Sequence, residues 1–468
     1  MANWIPSKKM LCNLKVDAVA KRLLRAMPIL AWAKQHPPRQ NTSGHGVAVR
    51  QIFAVFMFLT ALSASGQEAL RNSVAGDTAA ESRTQQVQSQ KSQDYTIKDG
   101  DFRMLILPSV GIAWNDNVNL SKTNAIDDFI VNPAVGITAS YPLTQRNLLY
   151  LDIVVGYDRY LKHSNLSTFD LNSSSGTGLS FDIGIQDVTI NLHEWISYVQ
   201  DSAQNATLAN TANYGTFQNT AGLAGTWELN EVNLSLGYDH QNVLATSSQF
   251  DYINHASEML FARMGLKVKP KASVGLESTA SYTTYEQNVL NNNDAYTAGA
   301  YAELRPDAFL KITVRGGFVS YQFQHTSSSI QTSSQNSWYA NLNLTHQPRD
   351  SVNYAVDAGH EVQLGILSDL VEDWYVRPNA TWKIIKGFDF NTSLFYEHGN
   401  QGIGSVESLP GNTSESYDWY GGELRVQHRI SSRLIVSMNY RLTLRSASTP
   451  NDGYTQNLVG LQLTYHPK

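Results

Sequence analysis

Apolar and polar residues alternate along most of this chain, from Leu105 to its last residues. A strand points successive side chains to opposite faces, so a period of two predicts strands with two different faces, whereas a helix would mix the two sets. Residues 433–445 show the pattern best, with Leu434, Val436, Met438, Tyr440, Leu442 and Leu444 on one face and Arg433, Ser437, Asn439, Arg441, Thr443 and Arg445 on the other.

Two kinds of strand breaker alternate along the chain. Short turns, such as residues 142–146 and 386–387, alternate with longer polar loops, such as residues 119–127 and 399–414. About eight short turns and nine loops imply about 18 strands. Short periplasmic turns, long extracellular loops and an even strand number are typical of bacterial barrels. We therefore predict an all-β fold: a transmembrane antiparallel up-and-down β-barrel of about 18 strands, with short periplasmic turns and longer extracellular loops.

A β-propeller and a soluble sandwich are the rival folds. The short turns recur at intervals of roughly 40 residues, as propeller blades do. Each interval, however, holds two long strands rather than four short ones, and the Trp-Asp signature of propeller repeats is absent. Aromatic residues near the strand ends favour a membrane barrel, in which they form interfacial girdles. They are Tyr141, Trp227, Tyr238, Tyr282, Trp338, Trp382, Tyr396 and Tyr465.

An apolar run near the N-terminus predicts export. Residues 52–62 follow Arg50 and precede the small residues 64–66, which is the order of a signal peptide. The run is too short for a membrane helix, which needs about 20 residues. We expect residues 1–66 to be a signal peptide with an extended n-region, with Val47 or Val49 as alternative translation starts. Residues 67–103, rich in Gln, Ser and Ala, are expected to be a disordered periplasmic linker, and residues 104–468 the outer-membrane barrel.

Charge and cysteine content exclude several classes of protein. The single cysteine, Cys12, lies in the expected leader, so a disulfide, a zinc-thiolate site and a lipid anchor are not expected in the mature chain. The formal charge is −5, but residues 1–66 hold 9 Lys and Arg and 1 Asp. The remainder has 26 basic and 39 acidic residues, a formal charge of −13, which argues against nucleic-acid binding.

The motifs of common enzyme sites are missing or incomplete. His193-Glu194 and His360-Glu361 lack the second histidine of a metalloprotease helix, and the chain has no phosphate-binding loop. We predict no catalytic residues, no metal site and no cofactor. A hydrolase with a site at the rim, for which His360 and Asp357 are candidates, is the least favoured alternative.

The polar faces of so wide a barrel would line an aqueous lumen, where charged side chains select solutes by electrostatics. The alternative is that these charges pair across neighbouring strands, as Glu423 could with Arg441. The predicted pore-lining residues are Arg425, Arg433, Arg441, Arg445, Arg315, Lys311, Asp152, Asp158, Asp357 and Glu361.

Two short motifs carry a family resemblance. Residues 107–114, followed by Asn115-Asp116-Asn117-Val118, and residues 157–160 with Phe169-Asp170 resemble the first hairpins of the beta-barrel porin family of Gram-negative outer membranes. Some members of that family are encoded beside exopolysaccharide genes. One departure is that many such barrels end on an aromatic residue, whereas here Tyr465 is followed by three more residues. Tyr465 is expected to take that role in assembly.

The resemblance implies an outer-membrane, porin-like channel for small hydrophilic solutes, with a link to saccharide or exopolysaccharide transport. Its expected partners are outer-membrane lipid, small hydrophilic solutes or saccharides, the barrel-assembly machinery and exopolysaccharide-export proteins. A non-conducting structural or binding barrel is the second hypothesis.

Overall fold

The computed structural model describes residues 95–467 except 145, 173–177, 325–333, 384 and 404–413. All of these belong to one of the two units into which the chain divides, Phe53–Lys468. The strands are β1 Ile97–Asp99, β2 Phe102–Asn115, β3 Asp128–Pro142, β4 Leu148–Tyr160, β5 Thr168–Asn172, β6 Leu179–Ile185, β7 Val188–Val199, β8 Thr216–Leu229, β9 Val232–Ala245, β10 His255–Lys269, β11 Ala272–Tyr285, β12 Asn292–Leu304, β13 Leu310–Gln324, β14 Ser334–Arg349, β15 Val352–Leu364, β16 Leu370–Trp382, β17 Phe388–Ile403, β18 Glu415–Arg429, β19 Leu434–Ala447 and β20 Tyr454–Tyr465.

The sheet closes on itself. From β2 onward each strand pairs antiparallel with its neighbour, and β20 pairs with β2 from Ser109–Thr464 to Asn115–Leu458. The short strand β1 lies only against β2, while β5 and β6 together occupy one position between β4 and β7. The wall therefore has 18 strands, which confirms the predicted up-and-down barrel and its strand number.

The two faces of the wall differ as the alternation predicts. On β19, Met438 is 54% exposed on the outer surface, whereas Thr443, at an inward position, is 1% exposed. Exposed outer residues on other strands, such as Leu236, Leu276 and Phe318, are apolar as well. A closed barrel with an apolar exterior satisfies all its backbone groups within lipid. The protein is thus an outer-membrane β-barrel.

Rings of aromatic side chains flank the apolar band. All eight aromatic residues predicted to lie at the interfaces are exposed on the outer surface. Tyr141, Trp227, Trp382 and Tyr465 lie near the short turns, and Tyr238, Tyr282, Trp338 and Tyr396 lie near the long loops. Some of the second group donate hydrogen bonds to polar side chains of the next strand, as Tyr396 does to Asp418 over 2.8 Å. This arrangement is the one expected for two membrane interfaces.

The predicted leader and most of the predicted linker lie outside the described residues, so both remain predictions. The wall begins at Phe102, two residues before the predicted start of the barrel. Across the described part of the chain, the structure contains no helix with the length and apolar character needed to cross a membrane.

Candidate functional site: a constricted lumen

One loop runs through the inside of the barrel. Residues 200–215, here called the strap, join β7 to β8. A short 3₁₀ turn, Ser202–Gln204, starts the strap and is capped by Asp201, whose side chain accepts from the backbone N–H of Ala203 over 3.1 Å. Ala203, Ala206 and Leu208 are buried although they belong to a loop. Small residues allow the strap to lie close to other parts of the chain.

Two arginines of the opposite wall hold the strap. Arg441 on β19 donates from Nη1 to Oδ2 of Asp201 over 2.9 Å. Arg445, four residues further along the same strand, donates from Nε to the backbone oxygen of Ala206 over 2.7 Å. Burial by itself would raise the pKa of the Asp201 carboxyl, but its attraction and hydrogen bonds to Arg441 hold that pKa below the ordinary value. The strap is therefore tied to the wall by charge-assisted bonds.

The tip of the strap enters an apolar cluster at the extracellular end. Leu208, 2% exposed, packs with Phe250, Ile253, Leu290 and Ile366, which come from three other loops. We call this cluster the cap. Because apolar side chains exclude water where they meet, the cap closes part of the mouth.

A buried carboxyl supports the cap. Asp369 accepts hydrogen bonds from the backbone N–H of Asn291 over 2.8 Å and from its side-chain amide over 2.6 Å. Burial raises the pKa of Asp369 to about 6, because the amide bonds offset only part of the cost of removing the charge from water. The link between these two loops therefore depends on protonation.

The hairpin of β15 and β16 leaves the wall on its way to the cap. Pairing of β14 with β15 stops at Ala340–His360, whereas β15 and β16 remain paired as far as Leu364–Leu370. In the part of the hairpin beyond His360, Val362 and Leu370 pack against Tyr321 and Phe323. The end of the hairpin thus leans over the inner face of β13, which explains why Val362 is buried.

The predicted basic residues lie mostly inward, in contact with carboxylates. Arg315 bonds to Glu277, and Tyr339 donates to the same carboxylate over 2.9 Å. Arg445 is fully buried and bonds to Glu415 over 2.7 Å. The remaining members are Arg425, 3.6 Å from Glu423; Lys311, 3.5 Å from Glu303; and Arg433, exposed in the turn that precedes β19. Pairing with a neighbouring strand, the alternative left open from the sequence, is seen for Arg445 and Lys311. Arg441 bonds to Asp201 of the strap and not to Glu423.

Two further arginines lie in the lumen. Arg377 bonds to Glu397 over 2.9 Å and lies against the ring of Tyr375. Arg263 is 3.5 Å from the ring centroid of Tyr301. Their inward position follows from the register of β10 and β16.

The predicted acidic residues bond mainly to amides and hydroxyls. Asp158 accepts from Asn132 over 2.5 Å, Asp152 from Thr138 over 3.3 Å and Asp357 from Asn341 over 2.7 Å. Glu361 lies opposite Asp373 in the ladder. Two more carboxylates, Asp182 and Asp239, are buried on β6 and β9. One side of the lumen, β4 to β9, is therefore rich in aspartate, and the other side, β16 to β19, is rich in arginine.

A cavity of about 440 Å³ lies between residues 117–125 and 446–455, in loops that bond to Asn210 of the strap. Ser121, Lys122, Thr449 and Tyr454 line it, with Arg445 at its inner end. None of its lining residues is acidic.

The residues considered for catalysis are not assembled. Asp357 faces inward, whereas His360 is stacked between Trp338 and Trp374, with ring centroids 4.1 and 4.7 Å away, and lies 3.1 Å from Glu372. Within the described ranges, no group of three or more His, Cys, Asp or Glu is arranged to hold a metal ion.

The strap and the cap were not predicted. Their signal in the sequence is a set of single apolar residues within polar loops, Leu208, Leu290 and Ile366 among them. Such residues do not by themselves say whether a loop projects outward or folds inward.

Comparisons with known proteins place the chain near solved porins at low similarity. No protein-family model and no curated protein matches it. Pseudomonas aeruginosa OprD is 9% identical, with 80% of this chain and 97% of that chain covered and a TM-score of 0.42. P. aeruginosa OccK2 (OpdF), solved with glucuronate, is 10% identical over 80% and 100%, with a TM-score of 0.43. A BenF-like porin from Pseudomonas fluorescens Pf-5 is 10% identical over 78% and 99%, with a TM-score of 0.44. At this level of similarity, the fold assignment rests on the strand pairing itself.

Proposed function

We propose that the protein is a channel for small hydrophilic solutes across the outer membrane. The observation that carries the proposal is a wide closed barrel whose inner face is polar and whose lumen is narrowed by the strap. An 18-stranded wall surrounds an aqueous passage unless loops fill it. The strap reduces that passage from one side and thereby sets the size of solute that can pass.

The charge distribution supports selection within the channel. Arg441, Arg445, Arg377 and Arg315 each face a carboxylate, so their positive charges are largely balanced. The aspartates of the opposite side bond mostly to neutral groups. We therefore propose that the pore favours cations and neutral polar solutes over simple anions.

Saccharides are a candidate class within this proposal. The lining of the cavity near the strap includes hydroxyl and amide groups of Ser121, Asn117 and Thr449, which suit a hydroxylated solute. A link to exopolysaccharide export, and assembly by the barrel-assembly machinery through Tyr465, are further hypotheses that come from the family resemblance.

Conductance tests the proposed function. The purified protein is inserted into planar bilayers, and current is recorded under a salt gradient. Liposome swelling with glucose, disaccharides and amino acids then gives the size limit. We expect stepwise current, with a reversal potential closer to the value for a cation-selective pore than to that for an anion-selective pore. A folded protein that produces neither current nor swelling would overturn the channel.

The cap favours a second candidate function, a non-conducting barrel that binds a partner with its loops. Leu208, Leu290 and Ile366 form a buried apolar cluster that joins three loops and closes part of the mouth. Such a barrel would remain closed to ions even after the cap is weakened by replacing Leu208 with Ser. Current that rises in this variant would favour the channel.

A further inference from the structure

Starting from the proposed channel function, we infer that the strap is a displaceable gate and that Arg441 and Arg445 are the positioning residues that latch it across the lumen. The two arginines then act by holding another part of the chain. Their effect on conductance would come from the position of the strap, in addition to any effect that their charge has on ion selectivity.

The first observation is the path of the strap. It leaves the wall at Val199 and rejoins it at Thr216, on β7 and β8. Its bonds to Arg441 and Arg445 are made to β19, which is the neighbour of the last strand, β20. Five wall positions, those of β20, β2, β3, β4 and the shared position of β5 and β6, separate β19 from β7. The strap must therefore cross the inside of the barrel to reach its latch.

The second observation is that Arg445 is held by bonds that do not involve the strap. Arg445 donates to Glu415 over 2.7 Å and to the backbone oxygen of Asp452. These bonds fix the guanidinium so that its Nε points to the oxygen of Ala206. A planar guanidinium that is already oriented loses little freedom when it binds one more acceptor.

The third observation is that the strap contributes an acceptor of its own. Asp201 receives bonds from both terminal nitrogens of Arg441, at 2.9 and 3.5 Å. Removal of either partner leaves the other charged and inside the barrel, which is unfavourable unless water replaces the lost partner. Movement of the strap away from the wall would admit that water.

Further along, the strap touches the loops that surround the open cavity. The backbone N–H of Asn210 donates to Leu120 over 3.0 Å, and its side chain donates to Asp452 over 3.0 Å. Displacement of the strap would therefore break these contacts as well and would widen the lumen beside this cavity.

The test compares single-channel recordings of the wild-type protein with those of Asp201→Asn and Arg441→Gln. Both variants should show a several-fold higher mean conductance or open probability, and the double variant should show no more than either one. The charge-swapped variant Asp201→Arg with Arg441→Asp should return toward the wild type. Arg305→Gln, which removes an arginine from an exposed periplasmic turn, is the control and should leave the recordings unchanged.

Several results would overturn the latch. One is a folded Asp201→Asn variant, verified by its strand circular dichroism and heat-modifiable mobility, that conducts as the wild type does. Another is an Arg441→Gln variant that shifts the reversal potential without changing conductance, since Arg441 would then act as a lumen charge. If neither the wild type nor any variant conducts, the proposed channel function fails together with its gate. Failure of the latch alone leaves a conducting wild type.

Discussion

His193 and Asp239 contact each other across an intervening strand, with Nε2 of His193 2.9 Å from Oδ1 of Asp239. The residue between them in the ladder is Gly222, on β8. A Cβ on Gly222 would lie 1.9 Å from that aspartate oxygen and 2.8 Å from the histidine nitrogen. Only a residue without a side chain permits this buried contact.

Gly222→Ala is therefore expected to destabilise the barrel by about 1–3 kcal/mol, the usual cost of overpacking a filled site. The measurement is equilibrium unfolding in urea from lipid vesicles. Gly225→Ala on the same strand is the matched control, because no atom lies within 4 Å of the position of its Cβ. Equal stability of the two variants would show that His193 and Asp239 can separate without loss.

The two faces of β19 should respond differently to charge. Leu442→Arg places a cation on the apolar outer surface, which costs roughly 2–4 kcal/mol near the middle of the bilayer. Asn439→Asp changes the inner face, where water and polar groups are available, and should be tolerated. Folding yield in vesicles, followed by heat-modifiable mobility, distinguishes them. Similar losses for both variants would contradict the assignment of the faces.

Removal of the basic side chains should make the pore more selective for cations. Replacement of Arg433, Arg441 and Arg445 by Gln leaves Asp201 and Glu415 without their partners. The reversal potential under a salt gradient should therefore shift toward the value for cations. Arg433→Gln alone should have little effect, because Arg433 lies in an exposed turn. A triple variant that folds and keeps the wild-type potential would place these charges outside the selective region.

Channel opening should depend on pH through Asp369. Its pKa is raised from 3.8 to about 6 by burial, so the folded cap favours the protonated form. This stabilisation is complete below pH 3.8 and is lost as the pH rises through about 6. Conductance should therefore fall when the pH is lowered from 7 to 4, and Asp369→Asn should remove that dependence.

Stronger acid should have the opposite effect. Asp201 has a pKa below 3.8, so its bond to Arg441 is lost only when the pH falls through that lower value. Conductance should then rise again once the pH falls below this lowered pKa, in the wild type but not in Asp201→Asn. A wild-type conductance that keeps falling with pH until the barrel unfolds would contradict the role of Asp201.

The fold could be predicted because its main determinant is local. The alternation in residues 433–445 specifies both faces of β19, and short turns such as the one after Lys269 specify where strands end. The contacts inside the lumen were harder to predict, because they join residues that are far apart in sequence. The alternation places Arg441 on the polar face of β19, but Asp201, its partner, lies in a loop whose direction depends on the cap. The position of Val362 likewise follows from a hairpin that leaves the wall.

The closing pair of strands is the shortest junction in the wall. β2 and β20 share seven paired residues, Ser109 to Asn115, whereas β2 and β3 share thirteen. Below Ser109 the edge of β2 is covered by β1, where Ile97 pairs with Met104, and by Thr96, whose hydroxyl accepts from the backbone N–H of Ile106. Amide hydrogens at this junction should exchange with solvent deuterium before those of β10 to β13. The barrel would then open first between β2 and β20, and β1 would protect the edge of β2 that this opening exposes.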